Sequence, residues 1–155
     1  MSIWGEADVD EIPDDPFHIE PNTYQALAVE CYELEKDGES SLIIKWQIDE
    51  VESRFNNMPV TEKYSLPKKP VSEMTGTELQ RLSFLKKRLR EAFDLTPDEV
   101  KRFKPNMATG KRAFIEIVNT PDKKDSTIIY NNVRGAISPR LFMEQGTSDP
   151  TDLDI

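Results

Sequence analysis

Charge is segregated along this chain, and the segregation limits where a folded body can form. Residues 1–39 carry a net charge of −11, residues 40–140 carry +6, and residues 141–155 carry −4. A segment with dense charge of one sign repels itself and resists burial, so residues 1–22 and the far C-terminal end are unlike core-forming segments. The overall net charge of −9 therefore conceals a basic middle segment between two acidic ends. A basic body can attract a polyanion such as nucleic acid, which a uniformly acidic protein would repel.

Charge and proline content together divide the sequence into three parts. We expect an acidic extended arm over residues 1–22, where three prolines also interrupt any regular element. A folded body is expected over residues 23–140, and an acidic C-terminal tail over residues 141–155. Both ends are predicted to be flexible. The simpler alternative is that the acidic ends only keep the protein soluble.

Composition indicates one domain with a modest core. The chain has 155 residues, of which 37% are hydrophobic and 32% are charged, and this length suits a single domain. Cys31 is the only cysteine, so no internal disulfide can form and nothing indicates an oxidising compartment. No apolar run approaches the roughly 20 residues that a membrane span needs, and the first residues lack a signal-peptide pattern. We therefore expect a cytoplasmic protein that does not enter a membrane.

Hydrophobic alternation predicts five β-strands in the body. The clearest case is the segment 42–48, in which Leu42, Ile44, Trp46 and Ile48 share one face. An Asp-Gly pair just before this segment predicts a hairpin turn. The predicted strands cover residues 23–34, 42–48, 60–66, 111–118 and 127–137.

A strong amphipathic helix is predicted between the third and fourth strands. Thr75 and Glu78 have the spacing of a capping box, which marks a helix N-terminus. Apolar residues then recur at steps of three and four, at Leu79, Leu82, Leu85, Leu89 and Phe93. Thr96 and Glu99 form a second capping box, with Pro97 at the first position of a short helix.

The order of these elements, which is three strands, a helix and two strands, predicts a mainly β protein of the α+β class. It matches the OB-fold, a five-stranded barrel that commonly carries a helix between strands three and four. Other small α+β folds have the same order of elements. We expect a five-stranded OB-fold-like barrel with the helix inserted between strands 3 and 4, flanked by flexible acidic termini.

The sequence carries no recognisable catalytic motif. It has no phosphate-binding glycine loop, no dinucleotide fingerprint and no nucleophile elbow. His18 is the only histidine and lies in the predicted arm, so neither a catalytic triad nor a histidine-based zinc site can be assembled. The aspartates of the arm, from Asp8 to Asp15, lack the glycine and the distal glutamate of a calcium loop. We expect a non-enzymatic protein with no metal and no cofactor.

Basic and aromatic residues on the outward faces of the strands indicate binding of single-stranded nucleic acid. Proteins of this type hold the phosphate backbone with cations and stack the bases on aromatic rings. An aromatic residue on the polar face of a strand is costly to leave in water, so it usually has a partner. The alternative is that the helix or an arm covers this face. The predicted binding residues are Lys45, Gln47, Arg54, Phe55, Lys63, Tyr64, Arg112, Phe114, Tyr130, Asn132 and Arg134.

Two other groups are assigned to packing and to solvent. Trp46 shares its face with Leu42, Ile44 and Ile48, so core packing is expected instead of base stacking. The helix carries five basic residues away from its apolar stripe. A solvated face is the common explanation for such a set, and contact with phosphate is the alternative. These residues are Arg81, Lys86, Lys87, Arg88 and Arg90.

Several segments taken together resemble one family. They are Asp15-Pro16-Phe17, the strand at 42–48, the stretch 110–117, the sequence Tyr130-Asn131-Asn132-Val133, and the acidic tail at 149–155. In these features the chain resembles the OB-fold single-stranded DNA-binding proteins of bacteriophages, in particular a group encoded near replication and recombination genes. The resemblance implies a role on single-stranded DNA in the host cytoplasm. Such proteins commonly recruit partner enzymes with an acidic tail tipped by hydrophobic residues, and the tail of this chain lacks a terminal aromatic.

We therefore expect a single-stranded DNA-binding protein of phage replication or recombination, without strong sequence preference. Its expected partners are single-stranded DNA and, through the acidic termini, replication or recombination proteins. The alternative is a phage protein-interaction module, structural or inhibitory, whose acidic arm docks on a basic partner or mimics nucleic acid. The sequence leaves the oligomeric state open.

Overall fold

The computed structural model of the protein describes residues 2–11 and 18–147. Within these residues it contains five β-strands and three α-helices, joined by turns and short 3₁₀ segments. Part of the predicted acidic arm, at 12–17, and the end of the acidic tail, at 148–155, lie outside the described residues. In chain order the elements are β1 (Asn22–Lys36), β2 (Glu39–Ile48), β3 (Pro59–Leu66), α1 (Gly76–Phe93), α2 (Pro97–Lys101), β4 (Arg112–Pro121), β5 (Ile129–Ile137) and α3 (Pro139–Thr147).

The five strands form one antiparallel sheet in the order β3-β2-β1-β4-β5. Strands β3 and β5 are therefore its two edges, and α1 and α2 lie on the connection from β3 to β4. The class is mixed α+β and mostly β, with the long helix between the third and fourth strands as predicted. The turn between β1 and β2 contains Asp37 and Gly38, whose positive φ angles of 55° and 78° suit the predicted Asp-Gly hairpin turn.

The core lies on the inner face of this sheet, where the predicted alternation is confirmed. Trp46 is fully buried, so its assignment to the core is also confirmed. Phe93 of α1 stacks on Trp46, with ring centroids 5.6 Å apart and an interplanar angle of 13°. Helix α1 therefore packs on the inner face, as its apolar stripe predicts. The inward residues of β2 and β4 are all buried, and they are Leu42, Ile44, Trp46, Ile48, Ala113, Ile115 and Ile117.

Helices α1 and α2 begin where the two capping boxes predict. The Thr75 hydroxyl accepts a hydrogen bond from the Glu78 backbone N–H at 3.1 Å, and the Glu78 carboxylate accepts one from the Thr75 N–H at 2.9 Å. Thr96 and Glu99 make the same reciprocal pair. Each pair satisfies two N–H groups at a helix end, where no intrahelical acceptor exists. The bond from the Thr75 N–H also holds the pKa of the Glu78 carboxyl below its usual value.

A buried ion pair connects α1 to both edges of the sheet. The Glu62 carboxylate of β3 accepts hydrogen bonds from Trp46 Nε1 at 2.7 Å, Tyr64 Oη at 2.6 Å and Arg88 Nε at 2.8 Å. Arg88 also donates through Nη2 to the backbone carbonyl of Val133 on β5, at 3.1 Å. Burial disfavours the charge of Arg88, but the adjacent Glu62 carboxylate raises the pKa of this guanidinium overall. Burial and the Glu62 charge raise the pKa of Tyr64, which keeps its hydroxyl a donor.

The folded body begins before residue 23, the start predicted from the sequence. Ile19, which was placed in the acidic arm, is fully buried. Its backbone N–H donates to Asn131 Oδ1 at 2.9 Å, and its carbonyl accepts from Asn119 Nδ2 at 3.0 Å. An apolar side chain in the core and two long-range hydrogen bonds fix this residue to β4 and β5.

The body also extends further at its C-terminal end, because α3 continues past residue 140. The Ser138 hydroxyl accepts from the Leu141 N–H at 3.2 Å, and Pro139 is the first helical residue. Serine followed by proline is a helix-start signal that the sequence analysis did not use. In the part of the chain that the structure describes, no helix is both long and apolar enough to cross a membrane.

Breaking the buried ion pair should strongly destabilise the fold. Glu62→Ala and Arg88→Ala should each lower the free energy of unfolding by about 3–5 kcal/mol, because each leaves a buried charge without its partner. The free energy of unfolding of the double variant should fall by less than the sum of the two single losses, since the second substitution removes a charge that is already unpaired. Urea denaturation measures all three variants. Lys68→Ala, which removes an exposed pair with Glu33, is the control, and strict additivity in the double variant would contradict the pairing.

Candidate nucleic-acid interface

The predicted binding residues on the outer face of the sheet, which is the face opposite the core, include Lys45, Gln47, Arg112 and Phe114. Gln47 of β2 is in register with Leu27 of β1, and Leu27 is in register with Arg112 of β4. Side chains directly opposite each other on neighbouring strands point to the same face, so these three form a row across the sheet. Lys45 and Phe114 lie two residues from this row and share its face, because side chains alternate along a strand.

Carboxylates neutralise the predicted cations around this outer face and in the loop after β2. Each cation lies beside an acidic side chain from a neighbouring strand or loop. Exposed ion pairs contribute little to stability and are screened by salt, so a phosphate can replace the carboxylate. The pairs are Lys45–Glu30 (3.3 Å), Arg112–Asp49 (3.3 Å), Arg134–Glu116 and Arg54–Glu20 (3.4 Å).

Two predicted stacking residues are engaged in packing. Phe55 is only 7% exposed and meets Tyr24 edge-on, with ring centroids 6.0 Å apart. Its ring belongs to the core cluster, so the structure corrects Phe55 from a binding residue to a packing residue. Arg54 covers the same ring, with its guanidinium carbon 4.8 Å from the centroid. The ring of Tyr64 is half-buried against the core, and its hydroxyl is used by Glu62.

Tyr130 and Asn132 stabilise the hairpin between β4 and β5. The Tyr130 hydroxyl donates to the Asp122 carboxylate at 2.7 Å, and the Asn132 amide donates to the Thr120 hydroxyl at 2.8 Å. The bond from Tyr130 holds the pKa of the Asp122 carboxyl below its usual value. The ring of Tyr130 stays exposed, so it is accessible near the start of β5.

A cleft of about 490 Å³ opens between the two sheet edges, with α1 along its side. Strands β3 and β5 approach each other here without forming a hydrogen-bonded ladder. Arg88 and Val133, whose hydrogen bond links α1 to β5, both lie in the wall. The lining is strongly basic, with five cations and one acid. The charged lining residues are Lys63, Arg81, Lys87, Arg88, Arg134 and Glu91.

Three cations of this cleft have no acidic partner among the described residues. Lys63, Arg81 and Lys87 are exposed, and none of them forms an ion pair or a side-chain hydrogen bond within that part of the chain. Lys86 and Arg90 are also exposed and have no acidic partner among the described residues. They continue the basic surface onto the adjoining face of α1. Clustered charge of one sign in a groove concentrates its field and raises the local concentration of anions.

Phe84 stands beside these cations with 60% of its surface exposed. It lines both the cleft and a shallow hollow on the adjoining face of α1. A ligand that extends across both depressions would therefore contact the ring of Phe84. Phe84 is not among the binding residues predicted from the sequence. The feature of the sequence that points to Phe84 is its position on the helix. It falls outside the apolar stripe of Leu82, Leu85 and Leu89, which leaves a large ring in water.

The cleft brings together only three of the eleven predicted residues, which are Lys63, Tyr64 and Arg134. The others lie on the outer face, in the loop after β2 and at the β4–β5 hairpin. Arg88 was assigned to the solvated face of the helix, but its side chain is only 12% exposed and pairs with Glu62. The exposed helix cations Arg81 and Lys87 contribute to the site instead.

No known protein family matches this chain, and no curated protein has a matching sequence. The chemistry of the cleft is therefore the guide to its ligand. Its unpaired cations suit phosphate groups, and the exposed ring of Phe84 suits a planar group that can stack on it. The arrangement fits a ligand that carries phosphates and planar rings along one chain.

Alanine at Phe55 and at Phe84 should distinguish the buried ring from the exposed one. Phe55→Ala should lower the free energy of unfolding by about 3–5 kcal/mol, because it leaves a cavity beside Tyr24. Phe84→Ala should change it by less than about 0.5 kcal/mol, since most of the ring is already in water. Urea denaturation followed by tryptophan fluorescence measures both. Equal losses in the two variants would show that the burial of Phe55 is misassigned.

Proposed function

We propose that the protein binds single-stranded DNA in the cleft between β3, α1 and β5, without strong sequence preference, during phage DNA replication or recombination. The observation that carries the proposal is the combination of unpaired cations, Lys63, Arg81 and Lys87, with the exposed ring of Phe84. Cations along a groove attract the phosphate backbone, and an aromatic ring stacks on a base. Sequence preference is expected to be weak because every base has a stacking face.

A single strand suits this arrangement better than a duplex. The bases of a duplex are stacked on each other, so they reach an aromatic ring only after they leave the helix. In a single strand, one base can stack on Phe84 while neighbouring phosphates approach Lys63 and Lys87. Arg88 donates hydrogen bonds to both β3 and β5, so a single arginine side chain spans the two edges at this point, which suits one strand better than two.

The proposed fold is a partly open OB-fold barrel. The strand order β3-β2-β1-β4-β5 is the order expected when such a five-stranded barrel is opened between its third and fifth strands. Arg88 supports this reading, because its guanidinium donates to Glu62 on one edge and to Val133 on the other. OB-folds commonly bind oligonucleotides, which agrees with the proposed ligand.

The N-terminal segment supports a second role in binding proteins. Ile3, Trp4 and Val9 are exposed and lie among acidic residues. An acidic segment with exposed apolar side chains is suited to docking on a basic partner with an apolar pocket. In this proposal the segment recruits replication or recombination proteins. If the protein binds no DNA, the same observation favours a structural or inhibitory interaction module.

Removal of the unpaired cleft cations should weaken both the binding and its salt dependence. For single strands, the slope of log affinity against log salt is about −0.7 per neutralised phosphate. The variant Lys63→Ala/Arg81→Ala/Lys87→Ala removes three cations, so its slope should be smaller in magnitude by about 2. Fluorescence anisotropy with labelled oligo-dT over a range of salt concentrations measures the slope.

The matched control is Lys101→Ala/Arg102→Ala/Lys104→Ala, which removes the same charge from exposed positions in and after α2. These residues do not line the cleft, so the control should keep most of the salt slope. Equal losses in the two triple variants would mean that total charge, and not the cleft, causes the association. A wild-type protein that does not bind oligo-dT at low salt would overturn the proposed function.

Phe84→Ala should weaken oligo-dT binding by about 1–3 kcal/mol, because it removes a stacking surface for one base. Phe84→Trp should retain binding, since the larger ring also stacks. Leu79→Ala is the control, because Leu79 is another exposed apolar residue of α1 and does not line the cleft. The same anisotropy assay measures all three. Wild-type affinity in Phe84→Ala would exclude base stacking at this position.

A further inference from the structure

Helix α3 places an aromatic ring on one of the predicted stacking residues. It begins at Pro139, two residues after the end of β5, and packs against β4. The ring of Phe142 is nearly parallel to that of Phe114, with centroids 3.9 Å apart and an interplanar angle of 15°. Most aromatic side-chain pairs are edge-on or offset, whereas a close parallel contact is how a base stacks on a ring. Phe142 therefore covers the face of Phe114 that a base would use.

The polar contacts that hold α3 in place are mostly exposed. Arg140 donates two hydrogen bonds of 2.6 Å to Asp94, the C-terminal cap of α1. The backbone N–H of Ser138 donates to the Glu91 carbonyl at 2.7 Å. Arg140 and Asp94 form a bidentate pair that salt can screen because Arg140 is exposed, so this pair and the stack on Phe114 are the contacts to be exchanged when α3 leaves β4.

The outer face beside Phe114 already contains groups that suit a nucleotide. Arg112 is two residues away along β4, which is about 7 Å on a strand, and its side chain is exposed. Its partner Asp49 lies 3.3 Å away in an exposed pair, which a phosphate can replace. Leu27 and Gln47 extend the row across β1 and β2. A base on Phe114 would thus have a cation nearby for its phosphate.

We propose that Phe114 is a second base-stacking site for single-stranded DNA, and that Phe142 occupies this site in the DNA-free protein. The proposal rests on the proposed function, because its ligand is the same single strand that binds in the cleft. When a base replaces Phe142, α3 leaves β4 and the strand gains contacts with Phe114 and Arg112. The apparent affinity of the wild type is then reduced in proportion to the fraction of molecules in which α3 is open.

Variants of α3 test this site. Phe142→Ala uncovers Phe114, so its affinity for labelled oligo-dT at fixed low salt should rise about three- to tenfold. The gain should disappear in Phe142→Ala/Phe114→Ala. Arg140→Gln loosens α3 without altering either ring and should give a smaller gain. Met143→Ala is the matched control, since Met143 is on the same helix and 67% exposed, and it should leave the affinity unchanged.

Hydrogen exchange of the α3 amides gives a readout that does not depend on affinity. Oligo-dT should speed exchange in residues 139–147 of the wild type, because bound DNA opens the helix. The same addition should change exchange much less in Phe142→Ala, where the stack is already lost. Thermal unfolding of each variant shows whether the sheet is intact, and Arg140→Gln provides the test if Phe142→Ala fails to fold.

The outcomes separate the two proposals. One outcome is that Lys63→Ala/Arg81→Ala/Lys87→Ala weakens binding, while Phe142→Ala and Arg140→Gln leave it unchanged or weaker. The proposal that DNA binds in the cleft is then supported, and the proposed Phe114 site is overturned. Slower exchange of α3 in the presence of oligo-dT also overturns it, because DNA would then hold the helix closed. If neither the wild type nor the Phe142→Ala variant binds oligo-dT, the proposed function fails, and the Phe114 site fails with it.

Discussion

Glu62 and Arg88 bury an ion pair between β3 and α1, and the position of α1 between the two sheet edges depends on this contact. A buried carboxylate is costly unless donors surround it, and Glu62 receives hydrogen bonds from Trp46, Tyr64 and Arg88. The same guanidinium reaches the backbone of β5 at Val133. The core, the helix and both edges of the sheet therefore meet at one charged cluster. This cluster holds α1 alongside the cleft, and the exposed cations Arg81 and Lys87 of the helix line it.

The two basic surfaces differ because of the acids that stand beside them. On the outer face of the sheet, neighbouring strands and loops place carboxylates next to cations, as with Lys45 and Glu30. Helix α1 has only two acids, Glu78 in its N-terminal capping box and Glu91 near its C-terminal end. Arg88 between them pairs with Glu62 of β3, but Arg81, Lys86, Lys87 and Arg90 have no acidic partner among the described residues and line one continuous surface. A chain with a net charge of −9 can therefore present a strongly positive cleft.

Strand β5 connects the cleft to the proposed Phe114 site. Its residues from Val133 to Ile137 line the cleft, and Ile137 is in register with Phe114 of β4. Helix α3 begins directly afterwards, and Ser138, the residue before it, donates its backbone N–H to the Glu91 carbonyl of α1. Glu91 itself lines the cleft. A ligand in the cleft therefore lies next to the segment that would move when α3 opens, which gives the two surfaces a short physical connection.

The strands, α1, both capping boxes and the burial of Trp46 could be predicted from the sequence, because these features depend on residues two to four positions apart. The sequence also indicated three of the residues that line the cleft, because Lys63 and Tyr64 place a cation beside an aromatic and alternation points Arg134 outward. Tertiary structure alone decided that Phe55 and Arg88 are buried, that Phe84 is exposed, and that α3 covers Phe114. Each of these outcomes depends on which element packs over a side chain, and local spacing carries no such information. The same holds for charge, because a cation stays unpaired only where folding brings no carboxylate from elsewhere in the chain.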